Sequence, residues 1–214
     1  MPLTYDPAIF AVPDERRARE VILTGEGSSS AARWETETPY LAEAIGRTIP
    51  LSSQTLLLDY GCGIGRLAKE LIARHGCTVL GVDISADMRA LAPSYVKSDR
   101  FAVCSPAFFH ALCGTGLRFD AALAIWVLQH CFNPVADVAA IAASLKPAGR
   151  FFVLNNLSLR VVPTKEVTWA NDGLDVWREI EQRFRQNDEG MMPDQITPPT
   201  LLKAHRWRAY TRIN

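Results

Sequence analysis

The sequence has no apolar run approaching the roughly 20 residues that a membrane-spanning helix needs. It shows no excess of either charge, with 23 Lys and Arg against 23 Asp and Glu. That balance disfavours a broad phosphate-binding face, so no nucleic-acid partner is expected. No basic segment leads into an apolar stretch near Met1, so no secretory leader is expected. Five cysteines, Cys62, Cys77, Cys104, Cys113 and Cys131, are scattered without a CxxC pair. An odd set without metal-ligand spacing predicts reduced thiols in a cytoplasmic protein and no metal centre. There is no internal repeat and no low-complexity tract. What remains is a 214-residue chain, 48% hydrophobic and 21% charged, enough for one α/β domain with a full core.

The pattern becomes regular at Leu56. "TLLLDY" reads as a buried strand, followed by the helix "GRLAKELIARHG" that Gly76 ends. "TVLGVD" is a second strand, and "SADMRALAPS" a helix that Ser85 caps. "RFAVC" is a third strand, and "FDAALAIWVLQ" holds a fourth. "PVADVAAIAASL" is a helix, and "GRFFVLNN" a fifth strand. Near-continuous apolar strands alternating with helices predict a mainly parallel sheet covered on both faces. Upstream, "PDERRAREVIL" reads as a short helix and "TGEGSSS" as a loop. Ser30 is expected to cap a second helix that Pro39 kinks or restarts. Downstream, "GLDVWREIEQRFRQ" reads as a helix, "MMPDQITPP" as a loop and "RWRAYTRI" as a last strand. The expected organisation is a single domain. Its N-terminal cap helices occupy 1–50, the core 51–156, a lid insertion 157–197 and a final helix or strand 198–214.

Between the first strand and its helix stands "DYGCGIG", with Gly61, Gly63 and Gly65 at alternate positions. Glycines let the backbone take positive φ and let a ligand approach closely. In open α/β sheets that turn lies beside the default ligand crevice. A nucleoside triphosphate would need GxxxxGK[ST], but Arg66 and Leu67 follow Gly65. A dinucleotide would need its third glycine one position later, where Arg66 stands, which disfavours a nucleotide-linked oxidoreductase.

"LLLDYGCGIG" resembles the first motif of class I S-adenosylmethionine-dependent methyltransferases. "TVLGVDIS", "FDAALAIWVLQH" and "LKPAGRFFVL" resemble that family's second, fourth and fifth strands in matching order. Ala148 stands where the family usually has glycine. The resemblance runs from about Leu56 to Leu154. It implies a Rossmann-like three-layer sandwich with an antiparallel strand near the C-terminus, and S-adenosyl-L-methionine as cofactor. By the same resemblance Asp83 would hold the ribose hydroxyls, with Ile84 and Met88 flanking the adenine. Asp59 would lie near the amino group, and Cys62 would be a small packing residue between the glycines. Many members carry an Asp after strand three that binds the adenine; here Ser105 stands near that point, and its hydroxyl or the adjacent backbone would replace it. Ile125, Trp126 and Gln129 would line the cleft. An N-terminal helix folded over the cofactor would bring Arg33 to the methionine carboxylate and Trp34 to the wall.

Methyl transfer from a sulfonium depends chiefly on alignment, and a base is needed only when the acceptor loses its proton early. The family's [DNS]PP[YFW] signature of amino acceptors is not present after strand four, and Pro198-Pro199 lies far downstream. A small-molecule acceptor with a hydroxyl, amine or carbon nucleophile is therefore expected. His130 is the titratable group nearest the expected methyl position and so the candidate base; a structural role is the favoured reading. Trp169 and Trp177 are candidate walls for the acceptor. The alternative to an enzyme is a non-catalytic S-adenosylmethionine-binding regulatory or assembly protein.

Overall fold

The computed structural model describes residues 4–25, 29–156, 158–193 and 206–213. Among these, the strands are β1 (Leu56–Tyr60), β2 (Thr78–Val82), β3 (Phe101–Cys104), β4 (Phe119–Ile125), β5 (Leu145–Asn155), β6 (Phe184–Met191) and β7 (Arg206–Arg212). They form one sheet in the order β3-β2-β1-β4-β5-β7-β6. The first five pair in parallel, and β7 runs antiparallel to both β5 and β6. The helices are α1 (Glu15–Ile22), α2 (Ser30–Thr48), α3 (Arg66–His75), α4 (Ala86–Val96), α5 (Pro106–Gly114), α6 (Pro134–Ser144) and α7 (Val176–Glu181).

The central strands bury both faces, which explains their unbroken apolar runs. Leu57, Phe152 and Leu154 pack in one core with Leu41, Ile45 and Leu71 of α2 and α3. Leu58, Phe151 and Val153 pack in the other with Phe109, Val138 and Ile180 of α5 to α7. The expected three-layer sandwich is what forms. Strand order reverses between β1 and β4, so a crevice opens where their carboxyl ends diverge. The glycine turn follows β1 there, and residues 126–130 follow β4.

Local departures have physical causes. Ser29, not Ser30, caps α2, its Oγ accepting from the Ala32 N–H at 3.1 Å. Pro39 does not restart that helix, which runs unbroken because Trp34, Leu41, Ala42 and Ile45 are all buried along it. The helix read over "GLDVWREIEQRFRQ" stops at Glu181, and β6 begins at Phe184. Phe184 is buried while Arg185 to Glu189 are exposed, the composition of a solvated edge strand. With β7 it supplies the pair of late strands, and β7 lies between β5 and β6. Helix α5 was not foreseen; Ser105 caps it and Pro106 opens it. Ala148 takes φ +58, the left-handed conformation glycine adopts without cost. Most of "MMPDQITPP", with Pro198-Pro199, lies outside the described residues, as does the middle of "TGEGSSS".

Candidate functional site

The three glycines of the turn all have positive φ, +78° at Gly61, +56° at Gly63 and +85° at Gly65. The N–H groups of Gly61 and Cys62 both donate to the Val82 carbonyl, at 2.7 and 3.0 Å, which ties the turn to the end of β2. The Asp83 carboxylate completes that tie. It accepts from Gly63 N–H at 2.8 Å and from Ser85 N–H at 2.9 Å. Burial raises its pKa, opposed by those two N–H groups and by Arg89. A side chain at Gly63 would put its Cβ 2.6 Å from Ile22 of α1, so the N-terminal helix lies directly on the turn. Cys62 fits the packing role: a Cβ at Gly81 would come within 2.7 Å of its Sγ. Burial pushes its thiol up, which disfavours the thiolate.

Behind the turn lies a buried charge cluster. Glu37 of α2 is 1% exposed. Its Oε2 accepts from Arg33 Nη2 at 2.9 Å. Its Oε1 accepts from Arg66 Nη2 at 3.2 Å and from Trp126 Nε1 at 2.8 Å. Burial pushes the Glu37 carboxyl up, but Arg66 and Arg33 together hold it below its ordinary value. Arg33 Nη1 also donates to the Thr24 carbonyl, and Arg33 Nε is buried without a hydrogen-bond partner among the described residues. Asp59, 3% exposed, is pushed up to about 7 by burial, against the pull of Arg66. The cluster thus holds two guanidiniums against one firmly ionised carboxylate.

A cavity of about 910 Å³ opens along these elements. Gly61, Gly63, Asp83, Ile84, Met88, Ile125, Trp126, Gln129, His130 and Arg33 all line it. Five other residues expected at the site do not. Asp59 of β1 and Cys62 and Gly65 of the turn itself are not among its lining residues. The Ser105 Oγ accepts from Phe108 N–H as the cap of α5, and the next residue, Pro106, lines the cavity instead. Trp34 packs between Arg19, Arg66 and Tyr95, behind the wall that Arg33 presents. Trp169 lines the cavity, whereas Trp177 lies under Arg208 on the far face.

His130 is fixed at both ring nitrogens. Its Nδ1 is 2.9 Å from the Val161 carbonyl, which can only accept, so Nδ1 carries the proton. Gln129 Oε1 accepts from Asn156 N–H at 2.6 Å, so the Gln129 amide nitrogen faces the ring and donates to Nε2 at 3.0 Å. Burial lowers the imidazole pKa. The ring is neutral and both its polar sites are taken. It acts as a fastener between the turn after β4 and residues 158–176.

Those residues form a roof with the N-terminal segment, which sequence reasoning did not place at the site. Tyr5 bridges Thr164, Asp6 N–H donates to the Pro163 carbonyl at 3.0 Å, and Lys165 N–H donates to Thr4. Arg160 pairs with Asp172 and donates to the Cys131 and Phe132 carbonyls. Tyr5, Ile9, Phe10 and Trp169 reach the cavity from this roof. No local signal marked residues 4–12, because their partners lie about 160 positions away.

A reversed parallel sheet, a bare glycine turn and an acidic residue ending β2 beside one large cavity define the class I methyltransferase fold. A family model described as a methyltransferase domain matches residues 33–195, and the chain belongs to that family. Among curated relatives, a ubiquinone biosynthesis O-methyltransferase of Methylobacterium nodulans is 30% identical over 142 residues, covering 63% of this chain and 56% of that protein. One from Xylella fastidiosa is 33% identical over 117 residues, 54% and 47% of the two chains. The chain therefore spans about half the length of these relatives. Among solved structures, a magnesium protoporphyrin IX methyltransferase of Synechocystis with bound S-adenosylhomocysteine superposes with TM-score 0.58, at 15% identity over 96% of this chain and 91% of that one. A Pyrococcus horikoshii protein gives 0.62, at 19% identity over 95% and 100%. These structural likenesses concern the fold alone.

Proposed function

We propose that the chain binds S-adenosylmethionine in this cavity and directs its methyl group to a small-molecule acceptor. The observation that carries the reading is that Gly63, Asp83 and Arg33 all line the same cavity. The residues fit the cofactor's chemistry. Asp83 accepts from ribose hydroxyls while keeping its hold on the turn, and Ile84 and Met88 supply apolar faces to the adenine. Arg33, from a cluster with one cation more than its firmly ionised carboxylates, meets the methionine carboxylate. When bound, the cofactor supplies a sulfonium methyl carbon. The chain's part is to orient both partners and exclude water, and the roof of residues 4–12 and 158–176 serves as the lid. The relatives' names, both O-methyltransferases, support an oxygen acceptor.

Calorimetry with S-adenosylhomocysteine, NAD and ATP tests the cofactor. Only the first should bind, and preferential binding of either nucleotide would overturn the reading. Turnover of any acceptor then separates an enzyme from a non-catalytic binder.

A further inference from the structure

Tyr5, Tyr60, Cys131, Phe132 and Asp137 line the cavity at a corner that the cofactor reading leaves unused. Asp137 stands in the first turn of α6, and the phenol that ends β1 reaches it. Tyr60 Oη donates to Asp137 Oδ1 at 2.6 Å. Asp137 is half-buried, and its Oδ2 is not sealed from solvent. The Cys131 thiol lies close to the same carboxylate, but it donates to the Val127 carbonyl at 3.5 Å. Burial, then the charge of Asp137, pushes the Tyr60 phenol up. Burial chiefly raises Tyr5 and Cys131 as well, with Asp137 adding to both. These three groups therefore stay uncharged near pH 7. Arg160, the cation beside the corner, is committed to Asp172 and to the Cys131 and Phe132 carbonyls. Asp137 has no ion-pair partner among the described residues.

An acid in the first turn suits a helix by itself. That does not account for the surroundings of this one. The ring centres of Tyr5 and Phe132 lie 5.4 Å apart, and Phe132 is 53% exposed. A carboxylate held partly out of water among neutral groups draws a counter-ion, and ring faces add to the attraction for a cation. We propose that this corner is a cation subsite that takes the protonated amino group of the methyl acceptor. Asp137 meets the ammonium, Tyr60 fixes the direction of the carboxylate, and Tyr5 and Phe132 wall the charge. The proposal rests on the methyl-transfer reading above for the role of that occupant. A nitrogen held as ammonium has no free lone pair, so it is a handle and another atom of the acceptor receives the methyl group.

The test is calorimetry on the full chain saturated with S-adenosylhomocysteine, using two probes of one shape. Hexan-1-amine is an ammonium at pH 7, and hexan-1-ol is neutral. The parent should bind the amine at least tenfold more tightly than the alcohol. Asp137→Asn keeps an oxygen for Tyr60 but loses the charge. It should weaken the amine about tenfold or more and leave the alcohol unchanged, which also shows that the cavity is intact. Phe132→Leu should weaken the amine more than the alcohol. Both variants should bind S-adenosylhomocysteine like the parent. Equal affinity of the parent for the two probes, or a preference for the amine that survives in Asp137→Asn, would overturn the cation subsite alone. A fall in S-adenosylhomocysteine affinity in Asp137→Asn would assign the carboxylate to the cofactor and overturn its acceptor role. A parent that does not bind S-adenosylhomocysteine would overturn the cofactor reading, and the same two probes on the free chain would then decide the cation subsite separately.

Discussion

Replacing Glu37 by Gln tests the buried charge cluster most directly. The amide keeps the shape and can still accept from Trp126, but it no longer balances two guanidiniums. Arg33 and Arg66 then face each other across a site almost closed to water, with side chains 6% and 4% exposed. Removing one partner of a buried ion pair costs about 3–5 kcal/mol, because the charge left behind has lost its solvent and its counter-ion. Against a total stability of about 5–15 kcal/mol that is a large fraction. For a chain of this size it corresponds to a fall in Tm of roughly 6–20 °C. Urea unfolding of parent and variant measures the difference. Adding Arg66→Met to Glu37→Gln should recover much of the loss, since the like-charge contact disappears. Affinity for S-adenosylhomocysteine should be below the parent's in the double variant, because Arg33 keeps the Thr24 carbonyl but loses the Glu37 carboxylate that orients it. A single variant within about 0.5 kcal/mol of the parent, the ordinary range for surface changes, would refute the electrostatic account.

The remaining predictions concern three titratable side chains. Asp83→Ala should weaken S-adenosylhomocysteine binding by about 1.5–3 kcal/mol in calorimetry, and Asp83→Asn by less, because one oxygen acceptor remains; parental affinity in both would confine Asp83 to holding the turn. Asp59 is pushed up to about 7, so the folded chain keeps a proton that the unfolded chain loses near pH 4. Its contribution therefore makes the fold less stable as pH rises from about 4 to about 7, by about 2–4 kcal/mol in all. Asp59→Asn should remove that slope in unfolding experiments across the window. His130 has the opposite sign: its pKa is lowered on folding, so the stability of the neutral ring is full above about pH 6.5 and is lost as pH falls below it. His130→Ala should lower Tm and cut turnover by less than about tenfold, whereas a hundredfold loss with Tm intact would make the imidazole a base.

The parts of the molecule legible in the sequence are those set by contacts close along the chain. The five parallel strands announced themselves because Leu57 and Leu58, or Phe151 and Phe152, must be apolar on both faces. The glycine turn was legible because positive φ at three alternate residues admits little else. Helix caps at Ser85 and Gly76 were equally local. Strand β6 was not legible, since only Phe184 at its start is buried and its exposed residues Arg185 to Glu189 favour no strand.

The site's polar logic was hidden for a different reason. Arg33 was singled out from its place on a capping helix, but Glu37, four residues on, carries no mark of its own in the sequence. Its importance comes from Arg66 and Trp126, 29 and 89 positions away. Each of the three partners belongs to a different element: Arg33 to α2, Arg66 to the first residue of α3, and Trp126 to the residue after β4. One carboxylate therefore sets the spacing of elements that the sequence presents separately. The same holds for His130, whose place after β4 made it look like a base. Only with Val161, Gln129 and Asn156 assembled around it does the ring prove to have no nitrogen left for a substrate. A motif names the residues that a turn needs, whereas the availability of a proton site depends on partners that only the fold brings together.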